Sequence, residues 1–259
     1  EDAPSGACAD YGGVNGPMES LLSDSPGSTT VEEGYARCAA LAKAHYENFT
    51  VGSWLLPREK RRHVHAVYAF CRSVDDLGDE HPGDRLEALD TWERDLLRCY
   101  DGTPQHPYLV ALQSTIRAFD IPREPFLRLV EANRMDQRSG RYDTYGDLEH
   151  YCQHSANPVG HLVLYVFGYR DEERQRLSDY TCTALQLANF WQDVRRDIIE
   201  RDRVYVPRQI AERHGLDMDT MVDAVRSDAR VEGQSGACCS SRRLPSAGIT
   251  ALRPAFRAT

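Results

Sequence analysis

The sequence predicts one all-α domain, and three observations lead to this prediction. Apolar residues recur at three- and four-residue spacing through most of the chain, which is the period of an α-helix. Turn-forming residues such as Gly102-Thr103-Pro104 and Asn157-Pro158 separate these segments. No pair of alternating apolar and polar runs indicates a β-hairpin. With 259 residues, 41% of them hydrophobic, the chain can bury one sizeable core.

The predicted helices follow one another from residue 34. The first covers 34–48, and Pro57 precedes a long second helix that ends near Gly78. Val64, Val67, Cys71 and Val74 form an apolar stripe along this second helix. The remaining predicted helices are 84–100, 107–119, 124–140, 147–154, 158–168, 172–200 and 207–226.

The two ends of the chain differ in composition from the middle. Residues 1–30 are rich in Gly, Ser, Pro and Asp without periodicity, and we expect a disordered N-terminal extension. The domain is predicted to cover 31–226. In 227–259 Arg, Ser, Gly, Cys and Pro dominate, so we expect an irregular tail. A shifted reading frame and natural disorder would both produce this composition.

Charge and motifs exclude several classes of protein. The net charge of −9 argues against a nucleic-acid binder, and it means that an anionic substrate would need a cation to mediate its binding. The sequence contains no GxSxG, no GxxxxGK[ST] and no CxxC motif, so hydrolase, P-loop and zinc-ribbon interpretations lack support.

A first acidic cluster ends the long second helix. Residues 75–80 read Asp-Asp-Leu-Gly-Asp-Glu, so that Asp75 lies one turn before Asp79 and Asp76 one turn before Glu80. Taken alone, such pairs usually lie on a solvated helix surface.

A second polar line changes this interpretation. Gln186 lies one turn before Asn189, and Asp193 and Asp197 follow at further steps of four residues. The line runs among large apolar side chains, which indicates burial. Because a buried carboxylate must be paired, protonated or bound to metal, these acids are candidate ligands. The alternative is neutralisation by Arg195 and Arg196, which is only partial because the two arginines point to different sides of the helix.

Two acidic faces that meet across a bundle would repel each other unless cations intervene. Mg²⁺ fits, because it binds carboxylates together with substrate phosphates. The departure of a diphosphate would leave an allylic cation, which requires an apolar, aromatic-lined cavity. The candidate lining residues are Phe70, Phe126, Phe167, Phe190 and Trp191.

Three blocks of sequence resemble the squalene/phytoene synthase family. They are Tyr68 to Glu80, Tyr151 to Gly160, and Gln186 to Asp197 with the following Arg203-Val-Tyr-Val-Pro207. The resemblance extends from about Tyr35 to Pro207. It implies the isoprenoid synthase fold, a helical bundle around a central cavity, and a domain that is truncated at its C-terminal end.

The resemblance also implies roles for individual residues. The metal ligands would be Asp75, Asp79, Asn189, Asp193 and Asp197, which would bind two or three Mg²⁺ ions with the diphosphate. These four aspartates and Arg72 would be catalytic. The residues implied to bind substrate are Tyr68, Asp76, Asp136, Gln186, Asn189, Phe49 and Tyr205. No NAD(P)H motif is visible.

Within the family, the segments 47–57, 155–160 and 189–193 resemble the bacterial hopanoid-pathway branch, which converts presqualene diphosphate to hydroxysqualene. The open alternatives are head-to-head condensation of two prenyl diphosphates to squalene, dehydrosqualene or phytoene, and a non-catalytic helical assembly protein. Gln192 departs from the arginine of several condensing relatives. We expect an isoprenoid diphosphate as ligand, no nucleic acid, and a cytoplasmic location. Contacts with other squalene-pathway enzymes and peripheral contact with the inner membrane stay open.

Overall fold

The computed structural model describes residues 29–44 and 56–234. These ranges contain ten α-helices, one π-helical turn and no β-strand, with a single parallel bridge between Arg141 and Val204. The predicted all-α fold is confirmed. The helices are α1 Val31–Ala44, α2 Arg58–Asp79, α3 Arg85–Asp101, α4 Pro107–Phe119, α5 Glu124–Arg138, α6 Tyr145–Ser155, α7 Asn157–Val166, α8 Glu172–Arg196, α9 Arg208–Arg213 and α10 Met218–Gln234.

The C-terminal helices differ from the predicted boundaries. The predicted helix 172–200 is α8 followed by the π-helical turn Asp197–Arg201. The predicted helix 207–226 is two helices, because Gly215 adopts a φ of +71° between α9 and α10. Helix α10 ends at Gln234, so regular structure continues past the tail boundary predicted at 226. The predicted extension up to residue 28, Phe49 and the chain beyond 234 lie outside the described residues.

The hydrophobic core forms around the buried face of α2. Val64, Val67 and Val74 of the predicted stripe are all buried there. Phe70 packs edge-on against Phe126, with ring centroids 5.0 Å apart. Helices α3, α4, α5 and α7 complete this core with leucines and with Trp92. None of the helices in the described ranges is long and apolar enough to cross a bilayer.

Helices α2 and α5 approach each other closely at Gly78. A Cβ atom at this position would lie 2.1 Å from Oδ1 of Asn133, far inside contact distance. Glycine therefore allows the end of α2, with its acidic cluster, to lie directly against α5. This contact forms one corner of the cavity described next.

Candidate active site

A cavity of about 540 Å³ lies between the end of α2 and the C-terminal half of α8. All four predicted aspartates line it, and so do the predicted Gln186, Asn189, Asp136 and Tyr205. The other lining residues are Leu129, Asn133, Tyr151, Ser155, Ala156, Val159, Cys182, Leu185, Phe190, Arg201 and Arg203.

The α2 wall presents Asp75 and Asp79. Asn133 of α5 donates a hydrogen bond from Nδ2 to Oδ1 of Asp75, at 3.3 Å. Desolvation by the surrounding protein raises the pKa of Asp75 above its ordinary value, and the neighbouring Asp79 adds to this effect. The hydrogen bond from Asn133 lowers the pKa. Solvent in the cavity still reaches Asp75. The charged form of Asp75 is therefore disfavoured in the metal-free protein, and a bound cation would stabilise it.

The α8 wall presents Asn189 and Asp193, which are partly open to solvent. Asp197 is buried and begins the π-helical turn. Burial raises the pKa of Asp197, while its hydrogen bond to Arg201 lowers it. Of the two arginines predicted to neutralise this line, Arg196 approaches Asp193 only to 3.9 Å. The close cationic partner of Asp197 is Arg201.

Two arginines that follow α8 contact Asp79 of the α2 wall, and Arg201 also contacts the α8 side. Arg201 contacts Asp79 through Nη2 at 3.1 Å and Asp197 through Nη1 at 3.2 Å. Arg203 contacts Asp79 at 2.7 Å and Asp136 at 3.4 Å. Sequence reasoning missed Arg201, although its position four residues after Asp197 was a usable signal.

The bridge between residues 141 and 204 holds the neighbouring Arg203 at the cavity. Val204 donates its backbone N–H to the carbonyl of Gly140 at 2.7 Å. A Cβ atom at Gly140 would lie 2.9 Å from the carbonyl oxygen of Asp202, so glycine allows this close approach. The segment after α8 is thereby fixed against the end of α5.

Asp136 lies in a buried hydrogen-bond network. Tyr151 donates to it at 2.7 Å and Tyr205 at 3.2 Å. Burial raises the pKa of Asp136 to about 6, against the lowering effect of Arg203. The ring of Tyr205 stacks on Phe190 with centroids 3.9 Å apart. Asp136 therefore orients the aromatic wall of the cavity.

The prediction of the aromatic lining was correct only for Phe190. Phe70 and Phe126 are fully buried in the core, and Phe167 packs against the same core. Trp191 lies on an exposed part of α8. The wall is instead completed by Tyr151 and Tyr205, whose rings are held by Asp136 and by each other. Phe70 points into the core because it shares the buried face of α2.

Three predicted residues on α2 do not line the cavity in the described part of the chain. Arg72 forms an ion pair with Asp76 at 2.6 Å and lies 3.6 Å from Glu80. Tyr68 packs against the cluster formed with α1. The catalytic role of Arg72 and the substrate-binding roles of Tyr68 and Asp76 stay predictions, as does that of Phe49.

The residues fit a magnesium ion that arrives with a phosphate ligand. All five predicted ligands are hard oxygen donors around one cavity. However, no three acidic, histidine or cysteine side chains of the described residues converge on a ready-made metal site. Mg²⁺ typically takes one or two carboxylates and completes its shell with phosphates and water, so a preassembled cage is not required.

The apolar part of the cavity contains one hydroxyl group without a partner. The Oγ of Ser155 is buried and makes no hydrogen bond with any residue in 29–44 or 56–234. Ser155 is the last residue of α6 and shares the wall with Ala156 and Val159. A buried polar atom without a partner is costly, so a polar group within the cavity would stabilise it.

Comparison with known proteins gives consistent matches. A model of the squalene/phytoene synthase family matches residues 42–234. The chain is 32% identical over 187 residues to a chloroplastic phytoene synthase of Daucus carota, which covers 69% of this chain and 47% of that protein. It is 31% identical over 198 residues to a presqualene diphosphate synthase of Zymomonas mobilis, covering 75% and 67%.

Two solved structures are also similar. The crystal structure of squalene synthase HpnC from Alicyclobacillus acidocaldarius aligns with a TM-score of 0.70 at 53% identity, over 73% of this chain and 72% of that one. A dehydrosqualene synthase in complex with a ligand aligns with a TM-score of 0.67 at 26% identity, over 88% and 75%. The chain spans about half to two thirds of the length of the curated relatives it matches.

Proposed function

We propose that this chain, which belongs to the squalene/phytoene synthase family, ionises an isoprenoid diphosphate in the cavity between α2 and α8. One observation carries this proposal: Asp75, Asp79, Asp193 and Asp197 come from distant parts of the sequence and line a single cavity. The same cavity has an aromatic and aliphatic wall, which suits a hydrocarbon chain.

The residues at the two ends of the cavity would have different roles, diphosphate binding at one end and exclusion of water at the other. Magnesium bound by the aspartates and Asn189 would neutralise the diphosphate and assist its departure. Asn133 and Arg203 orient Asp75 and Asp79 through hydrogen bonds and ion pairs. Phe190, with its stacked neighbour Tyr205, would exclude bulk water from the reacting carbon and present a ring face to positive charge.

The finer proposal is conversion of presqualene diphosphate to hydroxysqualene. In this step the carbon–oxygen bond to diphosphate breaks and the carbon skeleton rearranges. The oxygen of a water molecule then forms a new bond to the cationic carbon, and the proton it loses passes to the released diphosphate. The Ser155 hydroxyl supports this choice, because it makes no hydrogen bond among the described residues, and rotation of its side chain toward the cavity would let it bind the water that attacks.

The first test supplies the full chain with Mg²⁺ and either presqualene diphosphate or farnesyl diphosphate, without a hydride donor. We expect hydroxysqualene and pyrophosphate from presqualene diphosphate. If only farnesyl diphosphate is consumed, the chain condenses prenyl diphosphates and the hydroxysqualene step is wrong. Release of pyrophosphate from neither substrate would contradict the enzymatic function and favour the non-catalytic helical protein.

The second test concerns the hydroxyl of Ser155. In Ser155→Ala the ratio of alcohol to eliminated hydrocarbon should fall about tenfold, which corresponds to the loss of one hydrogen bond, while pyrophosphate release continues. Ser155→Thr keeps the hydroxyl and should keep the ratio. Cys182→Ala changes the same cavity lining without removing the hydroxyl, and serves as the matched control. An unchanged ratio in Ser155→Ala would remove Ser155 from the mechanism.

A further inference from the structure

Arg201 occupies the place where the two acidic walls meet. Its two terminal nitrogens contact different carboxylates, Nη2 with Asp79 of α2 and Nη1 with Asp197, at 3.1 and 3.2 Å. The Arg201 side chain is 25% exposed, so these ion pairs are shielded more than surface ones. In the metal-free protein one guanidinium therefore neutralises an aspartate from each wall.

The π-helical turn places Arg201 there. Residues Asp197–Arg201 form this turn, and Asp202 ends it with a left-handed φ of 53°. The backbone N–H of Arg203 bonds to the carbonyl of Asp197 at 3.0 Å, which closes the turn. Such turns interrupt regular helices and occur often at functional sites. Here the turn directs Arg201 back across the cavity toward α2.

A divalent cation that takes the two oxygens held by Arg201, Oδ2 of Asp79 and Oδ1 of Asp197, breaks both ion pairs of Arg201. The displaced guanidinium would then be left partly buried without an anionic partner, which is unfavourable. A diphosphate in the cavity would supply that partner, since arginine binds phosphate oxygens through paired N–H groups. Metal alone therefore competes with Arg201, whereas metal together with diphosphate does not.

We propose that Arg201 makes magnesium binding conditional on diphosphate. Its guanidinium stays paired with Asp79 and Asp197 until the oxygens of a phosphate group bind it instead. This inference rests on the proposed function of the same cavity. It would keep the two acidic walls together before substrate binds, and it would make metal and diphosphate each raise the affinity of the other.

The neighbouring arginines cannot take this role. Arg203 is nearly fully buried and also contacts Asp136, whose oxygens are held by Tyr151 and Tyr205. Moving Arg203 would therefore leave Asp136 short of a cationic partner. Arg196 lies on the exposed side of α8 and contacts Glu200 at 3.3 Å. Arg201 is the arginine of this group that contacts a predicted metal ligand on each wall.

The test measures Mg²⁺ binding by titration calorimetry on the full chain, with and without inorganic pyrophosphate. In the wild type, pyrophosphate should tighten Mg²⁺ binding roughly tenfold or more. In Arg201→Gln, Mg²⁺ alone should bind roughly tenfold more tightly than in the wild type, and pyrophosphate should add little. The metal-free Arg201→Gln protein should also unfold at a lower temperature, because the link between α2 and the π-helical turn is lost.

Two further variants complete the design. Arg201→Lys keeps the charge but not the two separate nitrogens, so its Mg²⁺ affinity should lie between those of the wild type and Arg201→Gln. It also supplies a second measurement if circular dichroism shows that Arg201→Gln does not fold. Arg138→Gln removes an exposed arginine that pairs with Glu131 at 2.7 Å and should behave as the wild type.

The outcomes separate this inference from the proposed function. If Arg201→Gln and Arg201→Lys bind Mg²⁺ alone no more tightly than the wild type, and pyrophosphate still enhances binding fully, the role of Arg201 is wrong while the metal–diphosphate site stands. If the wild type binds no Mg²⁺ even with pyrophosphate, both the inference and the proposed function fail.

Discussion

The two helices that carry the acidic pairs are supported very differently. Helix α2 has 22 residues, of which 11 are buried against neighbours. Helix α8 has 25 residues, and within the described chain Leu187 and Phe190 are the two that are buried. One acidic pair therefore stands at the end of a helix that runs through the core, and the other lies on a helix at the edge of the bundle.

The carboxylates and the outer surfaces show the same difference. Asp79 is 20% exposed and contacts two arginines, whereas Asp193 is 47% exposed and has only the distant Arg196 in its ion-pair contacts among the described residues. Two large apolar side chains of α8, Leu177 and Tyr180, are also exposed. A cavity with one firmly packed wall and one lightly packed wall has its lower local stability on the α8 side.

The largest effect should come from single variants that each remove one carboxylate, either from the α2 wall or from the α8 wall. Asp75→Asn and Asp193→Asn should each reduce turnover of the diphosphate substrate by about 10³-fold, because metal-assisted charge neutralisation contributes several kcal/mol to the barrier. Their stabilities should differ. Asp75→Asn should raise the melting temperature at pH 8, because it removes a charge that the surrounding protein and Asp79 disfavour. Asp193→Asn should leave it unchanged.

Steady-state pyrophosphate release and thermal unfolding measure these two effects on the same samples. Asp120→Asn is the matched control, since the Asp120 side chain is 95% exposed and lies outside the cavity. Equal melting temperatures for Asp75→Asn and Asp193→Asn would show that the two walls are electrostatically alike. Full turnover in either variant would contradict the metal role of that wall.

The parts of this arrangement that depend on local periodicity could be predicted from the sequence. The stripe of Val64, Val67 and Val74 is buried because helical spacing places these residues on one face. The spacing of four residues between Asp75 and Asp79, and between Asp193 and Asp197, likewise places each pair on one helix face. Both pairs then line the same cavity.

The parts that depend on non-local contacts could not be predicted in this way. Arg201 reaches Asp79 because a π-helical turn and the bridge from Arg141 to Val204 redirect the chain after α8. Aromatic residues were predicted to line the cavity by their type alone. Phe126 instead packs into the core about two turns before Asn133, since helix spacing alone does not tell which stretch of a buried face meets a cavity.

A matched pair of leucines tests the difference in packing directly. Leu77 of α2 is fully buried, whereas Leu177 of α8 is 54% exposed within the described chain. Leu77→Ala should lower the free energy of unfolding by about 2–5 kcal/mol, because it leaves a cavity in a packed core. Leu177→Ala should change it by no more than about 0.5 kcal/mol. Urea denaturation measures both changes in the free energy of unfolding when the wild type and the two variants are fitted with one common m-value.

The Leu177 result decides what the outer face of α8 contacts in solution. A loss of stability comparable to that of Leu77→Ala would show that Leu177 is covered, and that α8 is as well supported as α2. The comparison between the two helices would then be wrong on the α8 side.

The smallest effect should be a pH dependence from His63 of α2; helix α8 itself contains no histidine, although His161 of α7 lies 2.7 Å from its Asp179. His63 is buried, and its Nδ1 lies 3.0 Å from both the Tyr35 hydroxyl and the Thr115 hydroxyl. Burial, followed by the charges of Arg62 and Lys60, lowers the pKa of His63 to about 4. Below the pKa of about 6.5 in the unfolded chain, the unfolded state therefore binds a proton that the folded state does not.

Stability from this group is full above pH 6.5 and is lost as the pH falls toward 4. The unfolding free energy of the wild type, relative to that of His63→Gln, should fall by about 1 kcal/mol between pH 7.5 and 5.5. Taking the difference removes the contribution of the carboxylates, which both proteins share. His150→Gln, at an exposed position of α6, should keep the pH dependence of the wild type. If His63→Gln has the same pH dependence as the wild type, His63 has the same pKa in the folded and unfolded states, and the N-terminal part of α2 is more open to water than its packing implies.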